Sequence, residues 1–302
     1  MLERIYFWKG KGQYITPFIA TVAIFTASFI IAGGASAWWY YGVKVPADKK
    51  RAMEQLALRK QQADLASVAA FYKKSLTGAD IEQTITLLGE IRRSTLAMSA
   101  LGIPVKSEDF ICDTKSCSFG FKLSAGSILT LPVIDFFGHQ YAASVPVKKE
   151  KESAPLNDFE YARMALPLKQ NALLDSWTRN KGLRLHSCNE IISYVNTYNS
   201  LLNVSKNDRT LRDGAFIFKS YPSSSVKQAE KSVGGKLKFR GMMSAAWEMK
   251  ISSDSDFFYT RAPEINAQIA LYKQAYRDAF LIRKIESTDK GISISGGLVC
   301  KV

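Results

Sequence analysis

Four cysteines carry the most definable chemistry in this chain of 302 residues. Cys112 and Cys117 flank a short loop, whereas Cys188 and Cys300 lie far apart in the sequence. An even number of cysteines in an oxidising compartment favours two disulfides that use all four. Free cysteines in a core are the first alternative. A metal site is the second, although the Cys112–Cys117 spacing is too long for a Cys-x-x-Cys knuckle.

Other residues that could do chemistry are few. The only histidines are His139 and His186, which we interpret as a turn residue and a structural residue beside a helix start. Asp254 and Asp256 lie in a serine-rich turn and would offer at most a weak cation site. The sequence contains no G-x-S-x-G elbow, phosphate-binding P-loop or H-E-x-x-H motif. We therefore expect a protein that is not an enzyme and that holds no cofactor or metal.

The elements that would position these residues begin with an apolar segment, 14–43, that contains no charged residue. At about 1.5 Å per residue, a helix of this length spans a bilayer. The aromatic cluster from Trp38 to Tyr41 is typical of a headgroup interface. A cleaved signal peptide is the alternative, because Ala35-Ser36-Ala37 has the form of a cleavage site. The apolar run is longer than a signal peptide requires, which favours an uncleaved anchor.

Basic residues precede and follow this span in nearly equal number, so the positive-inside rule gives no clear orientation. The cysteines favour an oxidising compartment for the rest of the chain. We therefore expect a cytoplasmic tail at 1–13, a single span in a bacterial inner membrane and a periplasmic bulk. The net charge of +14 is scattered, which indicates a solvated basic surface. The alternative is a surface that attracts nucleic acid, anionic lipid headgroups or an acidic partner; of these, we expect no nucleic-acid partner.

A helical stalk is predicted over 44–102, which is rich in Ala, Leu, Lys, Gln and Glu. Leu56, Ala63 and Ala70 recur every seven residues and Met53 lies near the same stripe, as in a coiled coil. These four residues are the candidate interaction residues. The alternative is a single amphipathic helix that folds onto its own domain. Asp80 and Gln83 resemble the N-cap of a second helix and its reciprocal partner.

The remainder is predicted to form a small β-rich domain at 103–147, a charged linker at 148–158 and an α+β domain at 159–302. In the last of these, a helix starts near Cys188 and a second helix starts at Pro263, with Ile265 and Ile269 on one side. A hairpin is predicted from 282 to 299. One helix pair covering one antiparallel sheet would make an α+β sandwich. A Cys188–Cys300 disulfide would tie its first helix to its last strand, and an exposed sheet edge is a further candidate interaction face.

The predicted order of elements is a short tail, one membrane helix (Ile15 to about Trp39), a stalk (Pro46 to Leu101) and an α+β domain (Cys188 to Val302). This order resembles the inner-membrane alignment-complex proteins of type IV pilus and type II secretion systems, of the PilO-like or M-component-like kind. The resemblance implies ferredoxin-like domains and a non-catalytic scaffold. Such a scaffold would pair as a homo- or heterodimer with other inner-membrane subunits and link the cytoplasmic motor to pilin and outer-membrane components. The cysteine pairs and the large β-rich middle depart from the family pattern, and a divergent type IVb pilus component would accommodate them.

Other functions predict different structures. An inner-membrane subunit of a type IV secretion or conjugation machine would have one curved sheet cupped by several helices. A periplasmic ligand-binding or sensor protein would have a deep apolar pocket, although the short tail leaves no room for an output domain. An anchored enzyme would need a cluster of perturbed titratable groups in a cleft.

Overall fold

The computed structural model describes residues 15–100, 105–124, 133–145, 158–202, 213–254 and 260–302. The predicted tail at 1–13, nearly all of the predicted linker at 148–158 and Asp256 lie outside the described residues. The chain divides into two compact units, Met1–Ala63 and Asp64–Val302.

Helix α1 (Ile15–Trp39) is followed by a π-helical turn (Tyr40–Lys44) and by helix α2 (Val45–Leu76). The described part of this N-terminal helix is long and apolar enough to cross a membrane. Its large side chains, such as Phe29, are exposed. Its hydroxyl groups donate back to the helix: Thr26 donates to the carbonyl of Val22 at 2.9 Å. Ser28 likewise donates to the carbonyl of Ile24 at 2.7 Å, so both hydroxyl groups are satisfied within the helix.

The second unit contains five further helices and nine strands in its described part. The helices are α3 (Ile81–Ala100), α4 (Ala172–Thr178), α5 (Cys188–Leu202), α6 (Lys227–Val233) and α7 (Pro263–Tyr272). The strands are β1 (Val105–Cys112), β2 (Ser116–Leu123), β3 (Val133–Phe136), β4 (His139–Ala142), β5 (Asp158–Ala165), β6 (Ile217–Phe218), β7 (Met242–Ser252), β8 (Phe280–Thr288) and β9 (Gly291–Lys301).

Seven of these strands form one antiparallel sheet in the order β5-β2-β1-β8-β9-β7-β6, and β3 and β4 form a separate hairpin. Strands β1 and β8 pair through Ile111 opposite Glu286 and Cys112 opposite Ile285. This pairing joins strands from the predicted β-rich segment 103–147 to strands from the predicted domain 159–302. The fold is therefore α+β, with one continuous antiparallel sheet across both segments.

Helices cover both faces of this sheet. Successive side chains of a strand point to opposite faces, so Leu298 and Val299 of β9 belong to different buried clusters. The Leu298 side packs against α3, α5 and α7. The Val299 side packs against the end of α2 and residues of α4 and α6. The C-terminal part of α2 is thus a structural layer of the second unit.

The starts of α3 and α7 match the predicted positions. The backbone N–H of Gln83 donates to the Asp80 carboxylate at 2.8 Å, which confirms Asp80 as N-cap. Helix α7 begins at Pro263 as predicted, yet its buried apolar residues are Ala267, Ala270 and Leu271. Ile265 and Ile269, which share one side of the helix, are half-buried, and α7 packs on α3.

Candidate functional site

The last turns of α2 are anchored in the second unit by an apolar stripe. Val68, Tyr72 and Leu76 are fully buried, and their spacing of four residues places them on one side of a helix. Tyr72 stacks on Trp177 of α4 with 4.6 Å between ring centroids. Burial of this stripe fixes the side of α2 that faces the sheet.

Arg283 of β8 binds the C-terminal end of α2. Its Nη2 donates to the carbonyls of Lys74 (3.1 Å) and Ser75 (2.9 Å), and its Nε donates to the carbonyl of Thr77 (3.0 Å). The last carbonyls of a helix have no partner within the helix, and a cation there also interacts favourably with the helix dipole. Burial lowers the pKa of Arg283, and an arginine side chain nevertheless stays protonated in proteins.

A β-bulge directs Arg283 towards α2. The register of β8 against β9 shifts between Ile282 and Lys284, so Arg283 is the extra residue. Bulges re-aim side chains in this way. On β9, Gly297 leaves the space that the guanidinium occupies, because a Cβ there would lie 2.5 Å from Nη2 of Arg283.

Asn171 joins the end of α2 to the start of α4. Its Nδ2 donates to the carbonyls of Leu76 and Gly78, both at 2.8 Å, and its Oδ1 accepts from the backbone N–H of Leu174 at 2.9 Å. Asn171 is 3% exposed, and a buried amide with three hydrogen bonds is well satisfied. One side chain therefore holds two helix ends and the loop between α2 and α3.

A buried carboxylate makes a further attachment. Glu230 of α6 accepts from the Tyr72 hydroxyl at 2.7 Å and from the Gly241 backbone N–H at 3.2 Å. Burial and the Glu230 carboxylate raise the pKa of Tyr72 well above its usual range, so Tyr72 remains a hydrogen-bond donor at every physiological pH. We call Tyr72, Asn171, Glu230 and Arg283 the α2 clamp.

The four predicted interaction residues lie on exposed parts of α2. Met53 and Leu56 are 67% and 64% exposed, and Ala63 and Ala70 are also exposed. Within the second unit, Ala70 lies two residues from Tyr72, which is about 200° around a helix. Ala70 therefore points away from the buried stripe.

The structure joins the cysteines in both predicted pairs. One disulfide links Cys112 at the end of β1 to Cys117 in β2, and the other links Cys188 at the start of α5 to Cys300 in β9. The first closes the loop between paired neighbouring strands, and the second fastens a helix to the last strand. Over the described ranges, no group of three or more His, Cys, Asp or Glu residues is arranged to hold a metal ion.

The edge of the sheet beside β7 carries further residues of the chain. The backbone N–H groups of Gly214 and Lys219 donate to the carbonyls of Lys250 (2.8 Å) and Ala246 (2.9 Å) in β7. These two residues flank the two-residue strand β6, which pairs with β7. A short edge strand disfavours strand addition by another chain, and β5 forms the other edge of the sheet. An exposed sheet edge as an interaction face stays a prediction.

One polar cleft lies at the end of the sheet near the start of α7. It is lined in part by Arg92, Glu108, Arg261 and Glu264. Desolvation by the walls of the cleft raises the pKa of Glu108, with further contributions from Glu264 and Asp109. Glu264 also lies 3.9 Å from Arg92.

Sequence reasoning missed the α2 clamp, because its members lie in separate elements and match no motif. One signal was present: Gly296 and Gly297 interrupt an otherwise regular strand, and glycine inside a strand often marks a close approach. Comparison of the chain with protein-family models, curated proteins and solved structures finds no match.

Proposed function

We propose that this protein is a non-catalytic scaffold of a bacterial envelope machine, anchored in the inner membrane with its bulk in the periplasm. The observation that carries the proposal is the α2 clamp. A helix whose end is held by Arg283, Asn171 and Glu230 resists independent motion at that end. Such a joint transmits position from a membrane-proximal helix to a folded domain without any chemistry.

Strong charge-assisted hydrogen bonds support this interpretation of the joint. Hydrogen bonds to charged groups contribute about 1.5–3 kcal/mol each, and Arg283 alone makes three. The exposed stripe of Met53, Leu56, Ala63 and Ala70 would remain available for a partner helix in a coiled-coil-like stalk. The two disulfides are consistent with an oxidising compartment such as the periplasm.

The order of elements favours a type IV pilus, including type IVb, or a type II secretion machine. In that setting the cytoplasmic motor would be linked to periplasmic pilin and to outer-membrane components through this chain. The partners would be the membrane, other inner-membrane pilus or secretion subunits and pilin, in a homo- or heterodimer. The α+β part would correspond to the ferredoxin-like domains of that family.

A second candidate is an inner-membrane subunit of a type IV secretion or conjugation machine. The observation that favours it is the seven-stranded sheet with helices on it. A subunit of this kind is expected to have one sheet cupped by several helices. The scaffold role and the α2 clamp are common to both candidates. The two candidates differ in which proteins contact the stalk.

The test is photo-crosslinking in living cells from the exposed face of α2. A photoreactive residue replaces Leu56 or Ala63, and mass spectrometry identifies the adducts. Leu58 is the matched control because it is 58% exposed and lies about 200° around the helix from Leu56. We expect adducts with pilus or secretion subunits from Leu56 and Ala63 and few adducts from Leu58.

The outcomes separate the functions. Adducts with pilin-assembly or type II secretion subunits support the first machine, and adducts with conjugation subunits support the second. Adducts with lipid alone, or equal adducts from Leu56 and Leu58, contradict the stalk and favour a self-contained ligand-binding or sensor protein. With the photoreactive residue at Ala63, L56E should abolish the adducts, whereas L58E should leave them intact.

A further inference from the structure

A groove of one charge sign lies beside the end of α2 in the second unit. Its cationic side chains are Lys73 of α2, Lys115 of the loop closed by the Cys112–Cys117 disulfide, and Lys169 in the segment before α4. Its apolar lining includes Leu168 and Leu174, and the groove encloses about 910 Å³ including its open mouth. We call it the lysine groove.

The charge of the lysine groove is not balanced from within. All three lysines are exposed, and no carboxylate belongs to the described residues that line the groove. Two carboxylates of neighbouring segments are used elsewhere. Asp113 accepts the backbone N–H groups of Lys115 and Ser116 at 2.6 and 2.8 Å, and Asp175 pairs with Arg179 at 2.9 Å.

The walls of the groove are held in place without a ligand. The disulfide and the Asp113 turn fix the loop that carries Lys115, and the Leu166 backbone N–H donates to the Lys115 carbonyl at 3.0 Å. Asn171 fixes the end of the segment that carries Lys169. A preorganised surface loses less conformational entropy when it binds.

We propose that the lysine groove binds an extended acidic segment of a partner protein, with carboxylates on the lysines and an apolar side chain between Leu168 and Leu174. Charge complementarity argues for an anionic occupant. A peptide fits better than a single phosphate, because the three ammonium groups come from three different segments, are exposed, and are accompanied by apolar lining. The proposal does not depend on what binds the exposed stripe of α2.

The test measures binding of a fluorescent peptide, Glu-Leu-Glu-Glu-Leu-Glu-Glu-Leu, to the full chain in uncharged detergent micelles by fluorescence anisotropy. The same peptide with Gln in place of Glu is the ligand control. The variant K73Q/K115Q/K169Q neutralises the groove. The matched variant K227Q/K231Q/K273Q removes three exposed lysines that do not line the groove. Circular dichroism checks that both variants are folded.

We expect the groove variant to weaken binding of the acidic peptide about tenfold, from three screened charge contacts, with less than a twofold effect of the matched variant. Affinity should fall with added salt, and the Gln peptide should not bind. Equal losses in both variants would show general attraction to a basic protein and overturn the proposal. No peptide binding up to about 1 mM also overturns it. So does groove-dependent binding to vesicles of anionic phospholipid without peptide binding, which would make the groove a lipid site.

Discussion

Arg283 lies against Gly297 of the neighbouring strand, and this contact decides where the guanidinium goes. A side chain at position 297 would collide with it, since an added Cβ would lie 2.8 Å from the guanidinium carbon. With glycine there, the bulged Arg283 reaches the carbonyls at the end of α2. The absence of a side chain at position 297 thereby lets Arg283 attach the end of α2 to the sheet.

Replacement of Arg283 by Met should lower the free energy of unfolding by about 2–3 kcal/mol. The three carbonyls lose a charged donor, while relief from burying a cation offsets part of the loss. Urea unfolding of the detergent-solubilised chain, followed by circular dichroism, measures the change. An R283M variant as stable as the wild type would show that the clamp contributes nothing.

Replacement of Gly297 by Ala should lower the free energy of unfolding by about 1–3 kcal/mol, because it displaces Arg283. In the R283A background the same replacement should lower it much less. The two changes should therefore be non-additive. G296A is the matched control. Its Cβ would lie 2.0 Å from the backbone carbonyl oxygen of Leu281, so R283A should give no relief. Simple addition of the G297A and R283A effects would contradict the proposed contact.

Removal of the Tyr72 hydroxyl should leave a buried carboxylate oxygen without its donor. We expect Y72F to cost about 1–3 kcal/mol, and Y72F/E230M to cost less than the sum of the single changes, because paired polar groups are then removed together. Urea unfolding of all four proteins completes the cycle. An additive cycle would show that the hydroxyl and the carboxylate are not coupled.

The ion pairs of Glu248 in β7 should make the free energy of unfolding depend on pH. Burial alone would raise its pKa, but Lys219 (3.3 Å) and Lys250 (3.5 Å) together lower it below the ordinary value. A lowered folded-state pKa adds stability above the unfolded-state pKa, near 4.5, and this stability disappears as the pH falls through the folded value.

The E248Q variant should therefore be less stable than the wild type at pH 7, by about 0.5–1 kcal/mol. The difference should close as the pH falls from about 5 through the folded-state pKa of Glu248. Urea midpoints across this range measure it. A difference that grows at acid pH would mean that the folded-state pKa is raised instead.

The two disulfides should contribute unequally. Chain-entropy arguments give about 4–5 kcal/mol for the Cys188–Cys300 bond, which spans 112 residues, and about 2 kcal/mol for the Cys112–Cys117 bond, which spans 5. We expect C188A/C300A to be the less stable pair variant. Reductant should lower the free energy of unfolding of the wild type below that of either variant. Equal losses, or no effect of reductant, would contradict the loop-length argument.

Short-range features of this fold could be predicted from the sequence because they depend on residues close together in the chain. The apolar helix near the N-terminus, the Asp80 cap and the hairpin of β8 and β9 all follow from local composition and spacing. The loop between Cys112 and Cys117 belongs to the same class, since few residues separate the two sulfurs.

The sequence by itself determined an apolar helix followed by an α+β unit with four cysteines able to pair. Only the tertiary structure decided that β1 pairs with β8 and that the end of α2 is held by Arg283, Asn171 and Glu230. These contacts join residues up to 209 positions apart. Their geometry depends on strand register, one bulge and the burial of polar groups. Periodicity encodes which side of one element is apolar but carries no information about which distant element will cover it.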